Sequence, residues 1–406
     1  MSINNTPNGE RVHIGIFGRR NAGKSSLINA ITNQSVSIVS DTAGTTTDPV
    51  SKAMELLPIG PVIIFDTPGF DDEGELGSLR VEKSLQILRK TDIALIVLDG
   101  TSTLSKEEQD FINEVISRKL PYVICINKSD LCDVNLYKSE LLSCFHIDRE
   151  RIVCVSAKNR DGINELKDTL SSINIGESKK HILSDLIEPG DVIVLVVPID
   201  EAAPKGRLIL PQQQVIRDAL EASASIVVCK EIELEDTLTK LSQTPKVVVT
   251  DSQVFSYVSK IVPNDIYLTS FSILMARYKG DLVWQVNGAK AIDSLHDGAK
   301  ILISEGCTHH RQCGDIGTVK MPMWIKNYTN KDFVYEFTSG GEFPEDLSEY
   351  GLVIHCGGCT LNEQEMKYRI AKAIESNVPI TNYGVIISYM NGILERTLSL
   401  LTLGGK

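Results

Sequence analysis

The sequence predicts an α/β protein of three domains with mainly parallel sheets. Short apolar runs recur along the chain, stretches with helical periodicity lie between them, and the residues able to do chemistry cluster just after the runs. An open α/β sheet presents its ligands there, beyond the carboxyl ends of its strands. At 406 residues, 42% of them hydrophobic, the chain can build several cores. A typical domain of about 150 residues allows two or three, and three are expected.

The first domain is expected over residues 1–175. Val12–Phe17 reads as a buried strand and feeds into Gly18-Arg19-Arg20-Asn21-Ala22-Gly23-Lys24-Ser25, with a helix-like stretch over Ser26–Ile31. This matches G-x-x-x-x-G-K-[ST]. Glycines let backbone N–H groups wrap phosphates, and the helix N-terminus favours negative charge. Lys24 reaches the β and γ phosphates, and Ser25 can bind Mg²⁺. Gly18, Asn21, Ala22, Gly23, Lys24, Ser25 and Ser26 are therefore assigned to a nucleotide. The loop alone leaves kinases and ATPases open.

Later strand ends narrow the choice. Val62–Phe65 runs into Asp66-Thr67-Pro68-Gly69, where Asp66 can hold Mg²⁺ through water and the Gly69 amide can meet a γ-phosphate. Tyr122–Ile126 runs into Asn127-Lys128-Ser129-Asp130. Asp130 can accept hydrogen bonds from guanine N1 and N2 while the Lys128 stem covers the base; adenine would leave that carboxylate unpaired. Ile152–Val155 ends at Ser156-Ala157-Lys158, which resembles the second wall of the base pocket in GTPases. Four motifs in this order make the first domain a P-loop GTPase domain with GTP and Mg²⁺ as ligands.

Gly176–Lys180 is a polar connector, and a second domain is expected over residues 185–265. Strands Val192–Val197, Ser225–Cys229 and Lys246–Thr250 alternate with helices Gln212–Ala224, Leu234–Leu241 and Ser252–Ile261. Such alternation predicts a small parallel sheet. The segment holds no glycine fingerprint, ligand cluster or paired carboxylates. An exposed sheet edge suits dimerisation, with a monomeric spacer as the alternative.

The third domain, residues 266–406, is a second small α/β unit. Strand-like Lys300–Ser304 leads through Gly306 to Cys307-Thr308-His309-His310, and Leu352–Ile354 leads to His355-Cys356-Gly357-Gly358-Cys359, with a helix starting at Asn362-Glu363. Cys307, His309, His355, Cys356 and Cys359 form the candidate metal set. An iron–sulfur cluster, a structural zinc, a redox dithiol at Cys356 and Cys359, and unliganded core thiols all remain open on chemistry alone. A large apolar core has little need of a zinc staple. Cys125, Cys154 and Cys229 lie in apolar runs and read as core thiols. Cys132 and Cys144 receive no role, and His13, His296 and His310 read as structural.

Family resemblance adds detail. Asp41–Asp48 resembles the switch I segment of the TrmE group of GTPases, which implies Thr46 as a Mg²⁺ contact and places it in the catalytic set with Lys24, Ser25, Asp66 and Gly69. Asn21 stands where that group coordinates K⁺. Phe70 replaces the water-orienting Gln of Ras-like proteins, so slow, K⁺-stimulated hydrolysis is expected. Asp71-Asp72-Glu73 reads as a solvated switch loop. The C-x-H and H-C-x-x-C pair behind such a domain resembles the HydF family of FeFe-hydrogenase maturation GTPases over the whole chain. The resemblance implies a homodimer whose Cys307, Cys356 and Cys359 bind a 4Fe-4S cluster. A fourth ligand would come from His309, His355, Cys313, Asp315 or an exogenous group. It also implies a scaffold that receives a transient two-iron precursor from two radical-SAM maturases and passes it to apo FeFe-hydrogenase.

A net charge of −12 opposes broad nucleic-acid binding. No apolar run approaches the ~18 residues of a membrane helix, and Met1–Glu10 does not look like an export signal. A soluble, cytoplasmic protein without nucleic-acid or membrane partners is expected. The competing reading is an RNA-modifying or ribosome-assembly GTPase with a structural zinc. The acidic composition and a final Leu403-Gly404-Gly405-Lys406, without the C-terminal cysteine motif of TrmE-like tRNA modifiers, oppose it. A redox-sensing GTPase is a third reading.

Overall fold

The computed structural model describes residues 6–32, 50–69, 83–173, 181–199, 208–307 and 315–402. The chain divides into two compact units, Met1–Ser178 and Lys179–Lys406.

The first unit is built on β1 (Val12–Phe17), β2 (Val50–Leu56), β3 (Gly60–Asp66), β4 (Ile93–Asp99), β5 (Tyr122–Asn127) and β6 (Ile152–Cys154). Their order in the sheet is β2-β3-β1-β4-β5-β6. All pairs are parallel except the β2–β3 edge hairpin. Helices cover both faces, so the central strands read as unbroken apolar runs. Along β4, Ile93, Leu95 and Val97 enter one core and Ala94, Ile96 and Leu98 the other. Period-two alternation divides a single strand between two layers.

Among the described residues the second unit contains two four-stranded, all-parallel sheets. One orders β7 (Val192–Val196), β8 (Ser225–Cys229), β9 (Val247–Thr250) and β10 (Tyr267–Ser270) as β10-β9-β7-β8. The other orders β11 (Lys300–Glu305), β12 (Val334–Ser339), β13 (Leu352–His355) and β14 (Ile380–Asn382) as β12-β11-β13-β14. The sheets share one core: Val194, Val196 and Val248 pack in the same cluster as Ile301, Ile303, Leu352 and Ile354, joined by Phe255 and Val258. Removing one such buried side chain to Ala costs about 2–5 kcal/mol, because the cavity only partly closes.

This shared core departs from the expected boundary at residue 265. β10 lies beyond it yet completes the first sheet against β9, and Ile273 of the next helix enters the common core. No polar connector follows Ile266, so the chain runs from strand to helix within one packed body.

The edges of the first sheet differ. β10 lies against the helix Leu394–Leu398, whereas β8 has Ser225 and Val228 exposed, the latter by 46%. No helix among the described residues is long and apolar enough to cross a membrane.

Candidate functional site

In the first unit a cleft of about 1020 Å³ opens at the carboxyl end of the sheet. Of the described residues assigned to a nucleotide, all but Gly18, Ala22 and Pro68 line it. Thr46, with the rest of Asp41–Asp48, Phe70 and Asp71-Asp72-Glu73, lies outside the described residues. Gly18 and Ala22 serve through their carbonyls, which accept from Lys24 Nζ at 2.7 Å and Asn127 Nδ2 at 2.8 Å. Pro68 offers its carbonyl to Ser84.

The loop after β1 leads into the helix Lys24–Thr32, whose first turn faces the cleft. Gly23 has φ +92°, and a Cβ there would fall 2.2 Å from Asn127 Nδ2. A side chain is excluded on both counts. Asn21, at φ +62°, occupies the left-handed region that Asn tolerates better than most residues. Lys24 Nζ also donates to the Arg19 carbonyl at 2.8 Å, so the ammonium is held against the loop.

Ser25 Oγ donates to Asp66 Oδ2 at 3.0 Å. Burial raises the Asp66 carboxyl above its ordinary range, partly offset by Ser25 and the Lys24 charge. Its other oxygen, Oδ1, is buried with no hydrogen-bond partner among the described residues. An orphaned carboxylate oxygen beside a hydroxyl fits Mg²⁺, a hard cation that takes oxygen ligands and keeps several waters.

Two assigned residues prove to be struts. Asn127, 2% exposed, donates to the Ala22 carbonyl and accepts from the Ala157 amide at 3.1 Å, tying the phosphate loop to the base loop. Thr67 Oγ1 donates to the Ile16 carbonyl at 2.6 Å, fixing the end of β3 against β1. Asp130 and Lys158 are exposed on the cleft wall, where a base would enter. Ser156 is buried and its Oγ accepts from the Asn159 amide at 3.2 Å, shaping the turn that presents Ala157.

Sequence reasoning missed Asp99, the last residue of β4. Lys128 Nζ donates to it at 2.5 Å, and the Thr101 amide and hydroxyl donate at 3.0 and 2.6 Å. Burial raises this carboxyl, but the bonds from Lys128 and Thr101 outweigh it and hold Asp99 below its usual range. A carboxylate at a strand end was the available signal.

In the second unit, parallel pairing sets Ser304 beside His355, so Cys307 and Cys356 leave adjacent strand ends. The amides of Gly306 and Gly358 donate to Cys356 Sγ at 3.1 and 3.4 Å. Gly358 has φ +62°, which lets the chain turn between Cys356 and Cys359. Burial pushes the Cys356 thiol up to about 12, with Cys307 and Cys359 adding to the rise.

Among the described residues no three His, Cys, Asp or Glu side chains form a ready metal site. His309 and Cys313 lie outside them. The donor set nonetheless suits an iron–sulfur cluster: three soft sulfurs, with N–H groups on one of them of the kind that tune cluster sulfurs.

His355 is turned to other work. Arg369 donates to its Nε2 at 3.0 Å, which leaves Nδ1–H to donate to the Cys356 carbonyl at 2.7 Å. Burial, with the Arg369 charge beside it, lowers His355 to about 3. Both ring nitrogens are occupied, so the expected ligand is here a brace for the cysteine loop. Asp315 accepts from the amide and hydroxyl of Thr318, both at 2.8 Å, capping the following helix. His13 braces β1, its ring nitrogens meeting the carbonyls of Lys90 and Asn8.

Arg369 was also missed. Fully buried, it pairs with Glu365 at 2.9 Å and donates to Ser304 Oγ and the Gly340 carbonyl. Glu365 and Arg369 lie on the stripe that buries Met366, Ile370 and Ala373, and charges on an apolar stripe were the signal.

A phosphate loop opening a helix, a strand-end Asp beside its Ser, and an Asn-Lys-x-Asp loop on the same cleft define a P-loop GTPase. The 50S ribosome-binding GTPase family matches residues 13–128. Beyond it, the hydrogen maturase F dimerization domain matches residues 182–280 and the hydrogen maturase F tetramerization domain residues 283–400, together more than half of the chain. The chain belongs to the hydrogen maturase F family, with a TrmE-like GTPase domain at its start.

It is 34% identical over 209 residues to the tRNA modification GTPase MnmE of Heliobacterium modesticaldum, covering 51% of this chain and 40% of that protein. It is 33% identical over 171 residues to the GTPase Der of Kosmotoga olearia, covering 40% of this chain and 38% of that one. The chain thus spans less than half the length of these relatives. Among solved structures, a probable GTP-binding protein engB is 22% identical and covers 39% of this chain and 96% of that chain, with a TM-score of 0.34.

Asp99→Asn tests the strut beneath the base loop. Losing a charge-assisted bond of about 1.5–3 kcal/mol, discounted for partial exposure, should weaken GTP binding about threefold to tenfold. Turnover at saturating GTP should stay unchanged. Fluorescent-nucleotide titration checks it, and unaltered affinity would remove Asp99 from the site.

Proposed function

We propose that this protein is a GTP-hydrolysing scaffold or carrier in FeFe-hydrogenase maturation, acting in the cytoplasm. In this reading it holds a 4Fe-4S cluster and delivers a two-iron precursor to apo-hydrogenase. The observation that carries the reading is the placement of Cys307 and Cys356 just past the paired ends of β11 and β13, with Cys359 three residues further along the same loop, in a chain whose domains match hydrogen maturase F. The cluster would supply a labile iron coordination position for the precursor. Cys307, Cys356 and Cys359 hold it, His355 and Arg369 brace the loop, and the fourth ligand is His309, Cys313, Asp315 or an exogenous group. Radical-SAM maturases are the proposed donors of the precursor.

GTP acts as a conformational ligand. Lys24 and Ser25 bind the phosphates, Asp66 with Ser25 and Thr46 holds Mg²⁺, and the Gly69 amide senses the γ-phosphate. Asp130 with Lys128 selects guanine. Reordering of the segments around Thr46 and Gly69 changes partner affinity only if a partner distinguishes the two nucleotide states.

The two sites separate by mutation. Lys24→Ala should abolish GTP hydrolysis and leave iron content intact, whereas Cys356→Ser should lose iron and keep GTP turnover. Loss of iron in Lys24→Ala would contradict independent sites.

Asn21 supports K⁺ beside the phosphates, supplying the positive charge an arginine finger supplies elsewhere. Hydrolysis should be at least about tenfold faster in K⁺ than in Na⁺ buffer, on the scale of one lost charge contact in the transition state. Equal rates end the idea.

Self-association through the dimerization domain is proposed to use the β8 edge, where Val228 is exposed and, among the described residues, the strand has only β7 beside it. Val228→Glu would face its own copy across a symmetric edge and should shift the protein toward monomer in light scattering. An unchanged mass would place the interface elsewhere.

A further inference from the structure

Lys279 ends the helix Phe271–Lys279 and is 3% exposed. Its ammonium donates to the carbonyls of Leu361, Cys359 and Gly358 at 2.7, 3.2 and 3.4 Å. An ammonium carries three protons, and here three acceptors belong to one short stretch of backbone. That stretch is the second half of the cysteine loop and its exit. Burying a lysine is costly unless its charge and donors are engaged. A purely apolar helix end would have packed against the loop without that cost.

The placement also crosses a boundary between domain types. Lys279 falls within the part of the chain that matches the dimerization domain, and the loop within the part that matches the tetramerization domain. Phe271, Leu274 and Met275 of the same helix pack against Ile193, Leu195, Val247 and Val249 of the first sheet. One rigid helix therefore carries a positive charge from the first sheet to the cysteines of the second.

We propose that Lys279 is a positioning residue for the metal–thiolate site, pinning the loop from Gly358 to Leu361 and setting a buried positive charge beside Cys359. The inference rests on the iron–sulfur reading and deepens it. Two effects separate. The hydrogen bonds hold the loop closed, which slows loss of iron. The charge favours the more negative, reduced state of a cluster, which raises its potential.

The test uses full-length protein reconstituted anaerobically with iron and sulfide, as wild type, Lys279→Met and Lys279→Arg. Circular dichroism melts check folding. Redox titration followed by EPR reads the potential, and a ferrous chelator reads the rate of iron loss. Lys279→Met, similar in size but uncharged, should have a lower potential and lose iron at least about tenfold faster, on the scale of lost charge-assisted bonds. Lys279→Arg keeps the charge but cannot reproduce the three-point geometry. It should keep a potential near wild type and lose iron faster, and it decides the matter alone if Lys279→Met does not fold. Wild-type potential and iron-loss rate in the folded variants would overturn the proposal while leaving the iron–sulfur reading intact. A wild type that takes up no iron would overturn both.

Discussion

Parallel pairing of neighbouring strands is the constraint on which both candidate sites depend. When two parallel strands pair in register, their carboxyl ends finish side by side, and whatever follows them converges. Ile16 opposite Asp66 brings the phosphate loop to the strand-end carboxylate, and Ser304 opposite His355 brings Cys307 to Cys356. A register slip of one residue would move every side chain to the opposite face of the sheet, into a core packed around different residues. Alternate residues of the central strands fill apolar cores on both faces, so that slip is strongly opposed.

Register sets where loops begin; buried and half-buried polar struts then fix their shape. Asn127 ties phosphate loop to base loop, Asp99 fixes Lys128, Arg369 and His355 hold the first half of the cysteine loop, and Lys279 holds the second. Each is a donor or acceptor spent on backbone or on another strut, with good geometry. Buried polar groups are tolerable only when satisfied, so such networks order a loop as a unit. They also explain how a motif residue can be engaged by another protein group, as His355 and Thr67 are here.

Much of this was legible in the sequence, for physical reasons. Strands such as Val12–Phe17 and Ser225–Cys229 announce themselves as apolar runs, and the P-loop combines glycines, Lys and Ser in a spacing with few alternative uses. Asn362, expected to start a helix, caps one by accepting from the Glu365 amide. Less legible were β10, a four-residue strand leading directly into a helix, and the half-exposed edge strand β12. The merging of two sheets into one core was not legible either, because local periodicity carries no information about which apolar faces meet. Lys279 left no sequence signal at all: a lysine at a helix end reads as a solvated charge that complements the helix dipole. Only the fold shows that the loop closes over it.

The central claim is that the second unit holds an iron–sulfur cluster, and the most direct test is iron and zinc determination on anaerobically purified protein with EPR of the dithionite-reduced sample. About four irons per chain and a fast-relaxing EPR signal are expected, since three cysteines on the loops after two adjacent strands suit a cubane cluster. Stoichiometric zinc with no such signal would contradict it and favour a GTPase whose cysteines staple the fold around a structural metal.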